Sequence, residues 1–327
     1  MSKKGVLVII NPNSGTRIKP NIQKLSISIL DSEKFDITIT ETQYAGHATE
    51  LAQEAIQNQF TYVIAVGGDG TINEIAKTLA HSPVAMGIIP MGSGNGLARH
   101  LNIPMDIREA LEIINQERIE NIDYCVANDQ LFFTTCGVGF DARVSYEFSK
   151  SKFRGGFNYL RSMMIEYLSY RPESYDILID GETTTEKAFL ITCANASQYG
   201  NNAFIAPQAD LKDGKMNVAI LRPFTPFDIA TIGLQLFTKQ IDKNSKIKII
   251  ETDNITILRQ QAGEVHLDGE PMMMDCNIKV HTVAGGLKVI VPQGEKKNES
   301  PIQLLFELLF QQIRSLRNYM DIPIQLK

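Results

Sequence analysis

The 327-residue sequence contains no tryptophan and only four cysteines, and it has no apolar run near the ~20 residues that a membrane-spanning helix needs. None of the cysteines forms a CxxC pair, so we expect buried, free thiols in a reducing compartment. The five histidines show no metal-ligand spacing. The first residues carry no recognisable signal peptide. We therefore expect a cytoplasmic protein.

Basic residues are slightly fewer than acidic residues. Lys and Arg number 32 against 37 Asp and Glu, which leaves a formal net charge of -5. Because nucleic-acid-binding domains usually present a basic surface, we expect no nucleic-acid partner. The sequence has no GxxxxGK(S/T) loop, no strict GxGxxG and no HRD or DFG set. These absences exclude P-loop enzymes and protein kinases.

The first third of the chain alternates short apolar runs with segments of helical periodicity. This alternation predicts a parallel sheet with helices on its faces. The predicted strands are 6–10, 36–40, 62–66 and 84–89, and the predicted helices are 20–30, 48–56, 71–79 and 107–114.

After about residue 122, short strand-like runs separated by Gly, Asn and Asp predict an antiparallel β domain. These runs are 131–136, 175–179, 189–194, 216–221, 254–258, 277–283 and 287–291. A chain of this length favours two domains, which we place at 1–124 and 125–292.

Two further helices are predicted. Segment 157–168 interrupts the β domain, and Pro172 follows it. Segment 301–318 is strongly amphipathic. Two interpretations of its apolar face are open: it packs on the protein or on a second subunit, or it docks on a membrane. We favour packing of the tail, 293–327, on the first domain, because the polar face of the helix holds few cations.

Glycine, hydroxyl and amide residues follow each predicted strand of the first domain. They occupy 11–15, 42–46, 67–71 and 90–96, and Asn11 opens the first of these loops. Since the carboxyl ends of parallel strands meet at one edge of a sheet, four such loops predict a single polyanion site.

The third strand ends in Gly67-Gly68-Asp69-Gly70-Thr71, which suits phosphate binding. Glycines let backbone N–H groups approach a ligand, and we expect Thr71 and Glu74 to form a capping box at a helix N-terminus. A carboxylate beside phosphates needs a cation between them, so Asp69 implies Mg²⁺. Taken alone, the tetrapeptide is equally consistent with a tight turn.

Two acidic stretches mark the second domain. Transfer of a phosphoryl group to a hydroxyl needs a carboxylate near that hydroxyl, and Asp268 or Glu270 would supply it. Taken alone, however, the Asp268-Gly269 pair is more typical of a hairpin turn. The second acidic stretch, residues 210–215, is consistent with either a turn or a cation site. When this stretch is considered alone, the turn is favoured.

Together these motifs resemble the diacylglycerol kinase catalytic-domain superfamily, which includes sphingoid-base kinases and soluble bacterial lipid kinases. The resemblance covers nearly all of the chain to about Pro292. The matching segments are 11–15, 67–74, 92–95, 137–142, 206–214 and 267–270. It implies an α/β nucleotide-binding domain, a β-sandwich domain and an active site in the cleft between them.

The resemblance also implies residue roles. ATP phosphates would be held by the third-strand loop and its helix, with Thr42 and Ser93 also at the nucleotide. That loop contributes Gly67, Gly68, Asp69, Gly70, Thr71, Ile72 and Asn73.

In the second domain, the side chain of Asp213 would bind a structural Mg²⁺, with carbonyl groups near Asp210 and Lys215 completing the site. Glu270 would be the base on the lipid hydroxyl, with Asp268 beside it.

The fourth loop departs from many bacterial diacylglycerol kinases, since it carries Asn95-Gly96 in place of Asn-Asp. The stretch 92–98 is similar to sphingoid-base kinases, so diacylglycerol and sphingoid bases both stay open as acceptors. We expect ATP and Mg²⁺ as cofactors, transient contact with a membrane surface and, as one alternative for the tail, a homodimer. The other functions considered are an NAD kinase-like phosphotransferase and a non-catalytic nucleotide sensor.

Overall fold

The computed structural model describes residues 2–15, 21–150, 167 and 169–294, with no side chains described at 148–150. Its first unit is built on four parallel strands in the order β2-β1-β3-β4. They are β1 (Lys4–Ile10), β2 (Phe35–Glu41), β3 (Tyr62–Gly67) and β4 (Ala85–Pro90). β3 and β4 are buried along their whole length, as expected for parallel strands covered on both faces.

Helices connect and cover these strands. They are α1 (Ile22–Ile29), α2 (His47–Gln57), α3 (Asp69–Leu79), α4 (Gly96–His100) and α5 (Ile107–Gln116). Local capping starts two of them, because the side chains of Asn21 and Asp106 accept backbone N–H groups of the first turns of α1 and α5. The predicted strands and helices of this unit all occur within a few residues of their predicted ends.

The remaining strands form the second unit. They are β5 (Ile119–Ala127), β6 (Gln130–Phe132), β7 (Thr135–Gly139), β8 (Glu173–Ile179), β9 (Glu182–Ala188), β10 (Leu190–Ala194), β11 (Met216–Leu221), β12 (Ile247–Thr252), β13 (Asn254–Leu258), β14 (Gly263–Leu267), β15 (Glu270–Met274) and β16 (Asn277–Ile290). An antiparallel sheet runs β12-β11-β10-β7-β14-β15. A buried apolar cluster joins it to β5, β8, β13 and β16. The expected α/β unit followed by an antiparallel β sandwich is confirmed.

β16 connects the two units. It pairs antiparallel with β13 and β5, and at Val289 it pairs parallel with Met86 of β4. The two strands predicted at 277–283 and 287–291 are therefore one strand, with an irregularity between Val283 and Leu287. The expected division at 124/125 falls inside β5 and stays a prediction.

Two helices of the second unit were not predicted: α6 (Phe140–Lys150) and α7 (Ile229–Phe237). α7 has no charged residue, so it lacks the polar stripe by which a surface helix is recognised. The predicted helix 157–168, apart from residue 167, and the predicted helix 301–318 lie outside the described residues. Within the described ranges, no helix is long and apolar enough to cross a membrane.

The described cysteines are all free. Cys125, Cys136 and Cys193 are buried as expected, and loss of hydration raises the pKa of the Cys125 thiol to about 12. Cys276 is only half-buried, so the expectation of burial is wrong for that residue.

Candidate active site

The loops at the carboxyl ends of β1 and β3 are in direct contact. Asn11 donates from Nδ2 to the hydroxyl oxygen of Thr71 over 2.8 Å. The backbone N–H of Gly68 donates to Ser14 Oγ over 3.2 Å. Thr42, just after β2, donates its N–H to the carbonyl of Ile10. The structure thus brings three of the four predicted loops to one edge of the sheet.

Asp69 joins the third-strand loop to the fourth loop. Its two carboxylate oxygens accept the backbone N–H groups of Asn95 and Gly96, each over 2.8 Å. Burial raises the pKa of the Asp69 carboxyl, because lost hydration outweighs these bonds. Backbone donors at the start of α4 thus face this carboxylate, and the expectation that Asp69 implies Mg²⁺ stays a prediction.

The start of α3 differs from the expected capping box. The helix begins at Asp69, with Gly68 as its N-cap and no side-chain cap. Thr71 Oγ1 accepts from Asn11 instead, and Glu74 Oε1 accepts the N–H of Gly46 over 3.2 Å. The prediction was wrong because both side chains bind neighbouring loops rather than the end of their own helix.

Gly92 in the fourth loop has no room for a side chain. A β-carbon added to Gly92 would lie 2.8 Å from the Cα of Gly68, so the two loops touch through bare backbone. The N–H groups of the first turn of α3 have no partner within the helix and point to this edge. A backbone cradle at a helix N-terminus fits a polyphosphate.

The other predicted nucleotide residues divide into two kinds. Ser93 is exposed in the fourth loop. Ile72 and Asn73 are buried in α3, so Ile72 offers only its backbone. Asn73 Nδ2 has no hydrogen-bond partner among the described residues.

Asp268 lies in the turn between β14 and β15. Asp268 and Gly269 have φ values of 52° and 84°, as in a type I′ hairpin turn. The Asp268 carboxylate accepts the N–H groups of Phe133, Thr134 and Thr135 and the hydroxyl of Thr134. These bonds interrupt the strand predicted at 131–136, which is β6 and β7 in the structure. Asp268 therefore fixes the turn from which Glu270 projects.

Glu270 lies beside the third-strand loop. The residue is exposed, and its Oε1 lies 3.3 Å from the position that a β-carbon on Gly70 would occupy. Of the two candidate carboxylates, Glu270 is thus the one that faces the third-strand loop.

A buried polar network behind this hairpin was not predicted. His266 Nε2 lies 3.1 Å from Asp141 Oδ2, which also accepts the hydroxyls of Thr192 and Tyr199. A β-carbon on Gly137 would overlap both Asp141 and His266. The matching stretch 137–142 marked Asp141 in the sequence, but no pattern paired it with a histidine 125 residues away.

The candidate metal residues lie on one acidic turn. Asp210 and Asp213 accept the N–H groups of Lys212 and Lys215. Burial, followed by the nearby charges of Asp210, Glu251 and Asp123, raises the pKa of the Asp213 carboxyl.

This excess of negative charge fits a cation, although Lys215 already pairs with Glu251 over 2.5 Å. Within the described ranges, no three His, Cys, Asp or Glu side chains converge as metal ligands. A Mg²⁺ ion held by Asp213 would therefore also need carbonyl groups or water.

Asp123, which was not predicted, supports this turn from β5. Its carboxylate accepts the N–H groups of Gly214 in the acidic turn and Gly285 in β16, each over 2.7 Å. A single Asp in an apolar strand is a weak sequence signal for a functional residue, because its hydrogen-bond partners are known only from the fold.

Comparisons with known proteins agree with this architecture. Residues 5–127 match the diacylglycerol kinase catalytic domain, and residues 134–291 match the YegS C-terminal NAD kinase beta sandwich-like domain. The crystal structure of a diacylglycerol kinase from Bacillus anthracis str. Sterne aligns with a TM-score of 0.69 at 23% identity, over 90% of this chain and 98% of that chain. This likeness shows the fold alone.

Two relatives extend the comparison to sequence. A diacylglycerol kinase of Bacillus subtilis (strain 168) is 28% identical over 272 residues, which cover 82% of this chain and 90% of the relative. A Klebsiella pneumoniae (strain 342) protein named "Probable lipid kinase YegS-like" is 29% identical over 274 residues, covering 81% and 89%. The two domain models lie side by side along the chain, which therefore belongs to the diacylglycerol kinase catalytic-domain superfamily of lipid kinases.

Proposed function

We propose that this protein transfers the γ-phosphate of ATP to the hydroxyl group of a lipid, with Glu270 as the base. The observation that carries this proposal is the position of the Glu270 carboxylate, 3.3 Å from the site of a β-carbon on Gly70. A base for phosphoryl transfer must lie near both the acceptor hydroxyl and the transferred phosphate.

The reaction needs little covalent chemistry from the protein. The backbone at residues 67–71 and the start of α3 bind the phosphates and leave the γ-phosphorus facing the second unit. The lipid oxygen attacks this phosphorus as the bond to the β-phosphate oxygen breaks, and ADP leaves. The hydroxyl proton passes to the Glu270 carboxylate. Mg²⁺, when bound with the nucleotide, offsets the charge on the phosphates.

Asp268 is a positioning residue in this proposal. Its carboxylate accepts four hydrogen bonds from residues 133–135. The bonds hold the hairpin turn, and the turn directs Glu270 toward the cleft.

Diacylglycerol is the first acceptor to test, because relatives across most of the chain are named diacylglycerol kinases. A sphingoid base is the second acceptor to test, because the Gly92-Ser93-Gly94-Asn95-Gly96 loop is similar to that of sphingoid-base kinases. Diacylglycerol and a sphingoid base both offer a primary hydroxyl beside a long apolar chain. Glu270 and the backbone at residues 67–71 would therefore act in the same way on either lipid.

The test uses γ-labelled ATP with diacylglycerol, monoacylglycerol, a sphingoid base and ceramide in mixed micelles, with and without Mg²⁺. We expect label in diacylglycerol or the sphingoid base, and only with Mg²⁺ present. A parallel reaction with NAD tests the main alternative. Label in NAD and in no lipid would refute the proposal, and nucleotide binding without any transfer would favour a sensor.

A further inference from the structure

The chain makes a compact excursion between β11 and β12. Residues 222–246 leave the sheet after Leu221 and return at its paired partner, Ile247. The N–H of Arg222 donates to the carbonyl of Lys246 over 2.8 Å, so both ends of the excursion lie together. It holds a short turn at Pro226–Asp228 and the helix α7.

The tip of this excursion exposes large apolar side chains. Phe227 is 93% exposed and Leu234 is 52% exposed. α7 has the sequence IATIGLQLF, without a charged residue, and only Ile232 in it is buried. We call Phe227 together with α7 the apolar tip. A soluble protein that leaves such a surface in water usually uses it for contact.

The apolar tip is held in a defined conformation. Thr225 and Asp228 form a capping box before α7, with the Asp228 carboxylate accepting both the N–H and the hydroxyl of Thr225. Ile232 and Ile241 anchor the excursion in a buried cluster. The exposure of Phe227 is therefore built into the fold.

The excursion and its two ends carry more basic than acidic residues. The chain from 222 to 248 contains five basic residues, namely Arg222, Lys239, Lys243, Lys246 and Lys248, and two acidic residues, Asp228 and Asp242. This stretch thus carries a net charge of +3 in a chain whose net charge is -5.

Part of this charge is paired. Arg222 and Lys248 both approach Glu186 at 3.4 Å, whereas Lys243 is exposed. The net charge of residues 222–248 stays positive when Glu186 is counted with them. Exposed apolar side chains beside a surplus of cations are typical of surfaces that bind anionic lipid bilayers.

The apolar tip is also close to the candidate active site. The carbonyl of Leu236 in α7 accepts the N–H of Phe204. Three residues before Phe204, Asn201 donates its N–H to the carbonyl of Gly94 in the fourth nucleotide loop. One short loop therefore joins the apolar tip to the phosphate-binding edge.

We propose that the apolar tip docks on an anionic lipid bilayer, with Phe227 and Leu234 inserted at headgroup level and the neighbouring cations on the lipid headgroups. The purpose of this contact rests on the proposed function, since docking here brings the cleft to membrane lipids that carry the acceptor hydroxyl. With nine residues, α7 is far shorter than the ~20 needed to span the membrane.

The test compares the full chain with its Phe227→Ser and Leu234→Ser variants. Binding is measured by co-sedimentation with vesicles of phosphatidylcholine containing about one-third phosphatidylglycerol, at low and high salt. We expect each variant to bind about tenfold more weakly, and wild-type binding to weaken in high salt. Turnover of a short-chain acceptor dispersed in water should stay at the wild-type level.

Ile27→Ser is the matched control. Ile27 is 64% exposed on α1, in the other unit, so its replacement removes an exposed apolar surface similar in size to that of Leu234, which is 52% exposed. The proposal is overturned if Phe227→Ser and Leu234→Ser bind vesicles like the wild type, or if Ile27→Ser loses as much binding. The proposal is also overturned if the two variants reduce the self-association of the protein in sedimentation and leave its binding to vesicles unchanged.

These outcomes are separable from failure of the proposed function. A wild type that binds vesicles through the apolar tip but phosphorylates no lipid in either form contradicts the function alone. A wild type that phosphorylates lipids, with variants unimpaired on vesicles, contradicts the docking surface alone.

Discussion

Asp268 and Glu270 lie two residues apart on one hairpin but have opposite surroundings. Asp268 accepts four hydrogen bonds from residues 133–135, whereas Glu270 is exposed toward Gly70. The sequence shows two equivalent acids beside a glycine. Their difference depends on residues 133–135, which are more than 130 positions away, and no local pattern shows that contact.

We expect Asp268→Asn to lower the free energy of unfolding by about 1–3 kcal/mol, because an amide nitrogen cannot accept the N–H groups it would face. Phosphoryl transfer should also slow, with the pH profile of the residual activity unchanged. Thermal unfolding and pH-rate curves measure both effects. A variant with wild-type stability and an altered pH profile would instead identify Asp268 as the base.

At the scale of elements, the four strands and the helices α1, α2, α3 and α5 of the first unit follow from apolar periodicity and were predicted within a few residues. The five-residue helix α4 was not predicted. The connections between the loops were not predicted. The carboxylate of Asp69 caps the start of α4, a contact that was not predicted. A capping bond between separate elements leaves no periodic signal, whereas a cap within one helix does.

Asp69→Asn should therefore separate the third-strand loop from α4. We expect ATP affinity to fall and stability to drop by about 1–3 kcal/mol, since the N–H groups of Asn95 and Gly96 lose charged acceptors. Calorimetric titration with ATP and thermal unfolding measure these changes.

Asp106→Asn is the control, because Asp106 also accepts two backbone N–H groups, at the start of α5. It should lower stability but leave ATP affinity unchanged. Equal losses of ATP affinity in the two variants would contradict a specific role for Asp69 at the nucleotide site.

At the scale of the whole molecule, the candidate site needs both units. Gly70 belongs to the α/β unit and Glu270 to the β sandwich, and β16 links the two by pairing with β4, β5 and β13. Strand patterns predicted the two architectures. They did not show that β16 joins them, because a long strand with an internal irregularity looks like two short strands.

The central claim is that phosphoryl transfer takes place between Gly70 and Glu270, and single-turnover transfer by Glu270→Gln tests it most directly. Rates are measured with saturating ATP and the accepted lipid, beside Glu264→Gln, which changes a glutamate at the far end of the same hairpin. We predict that Glu270→Gln slows transfer about 10²–10⁴-fold with ATP affinity unchanged, and that Glu264→Gln transfers at nearly the wild-type rate. Wild-type transfer by Glu270→Gln would contradict the account.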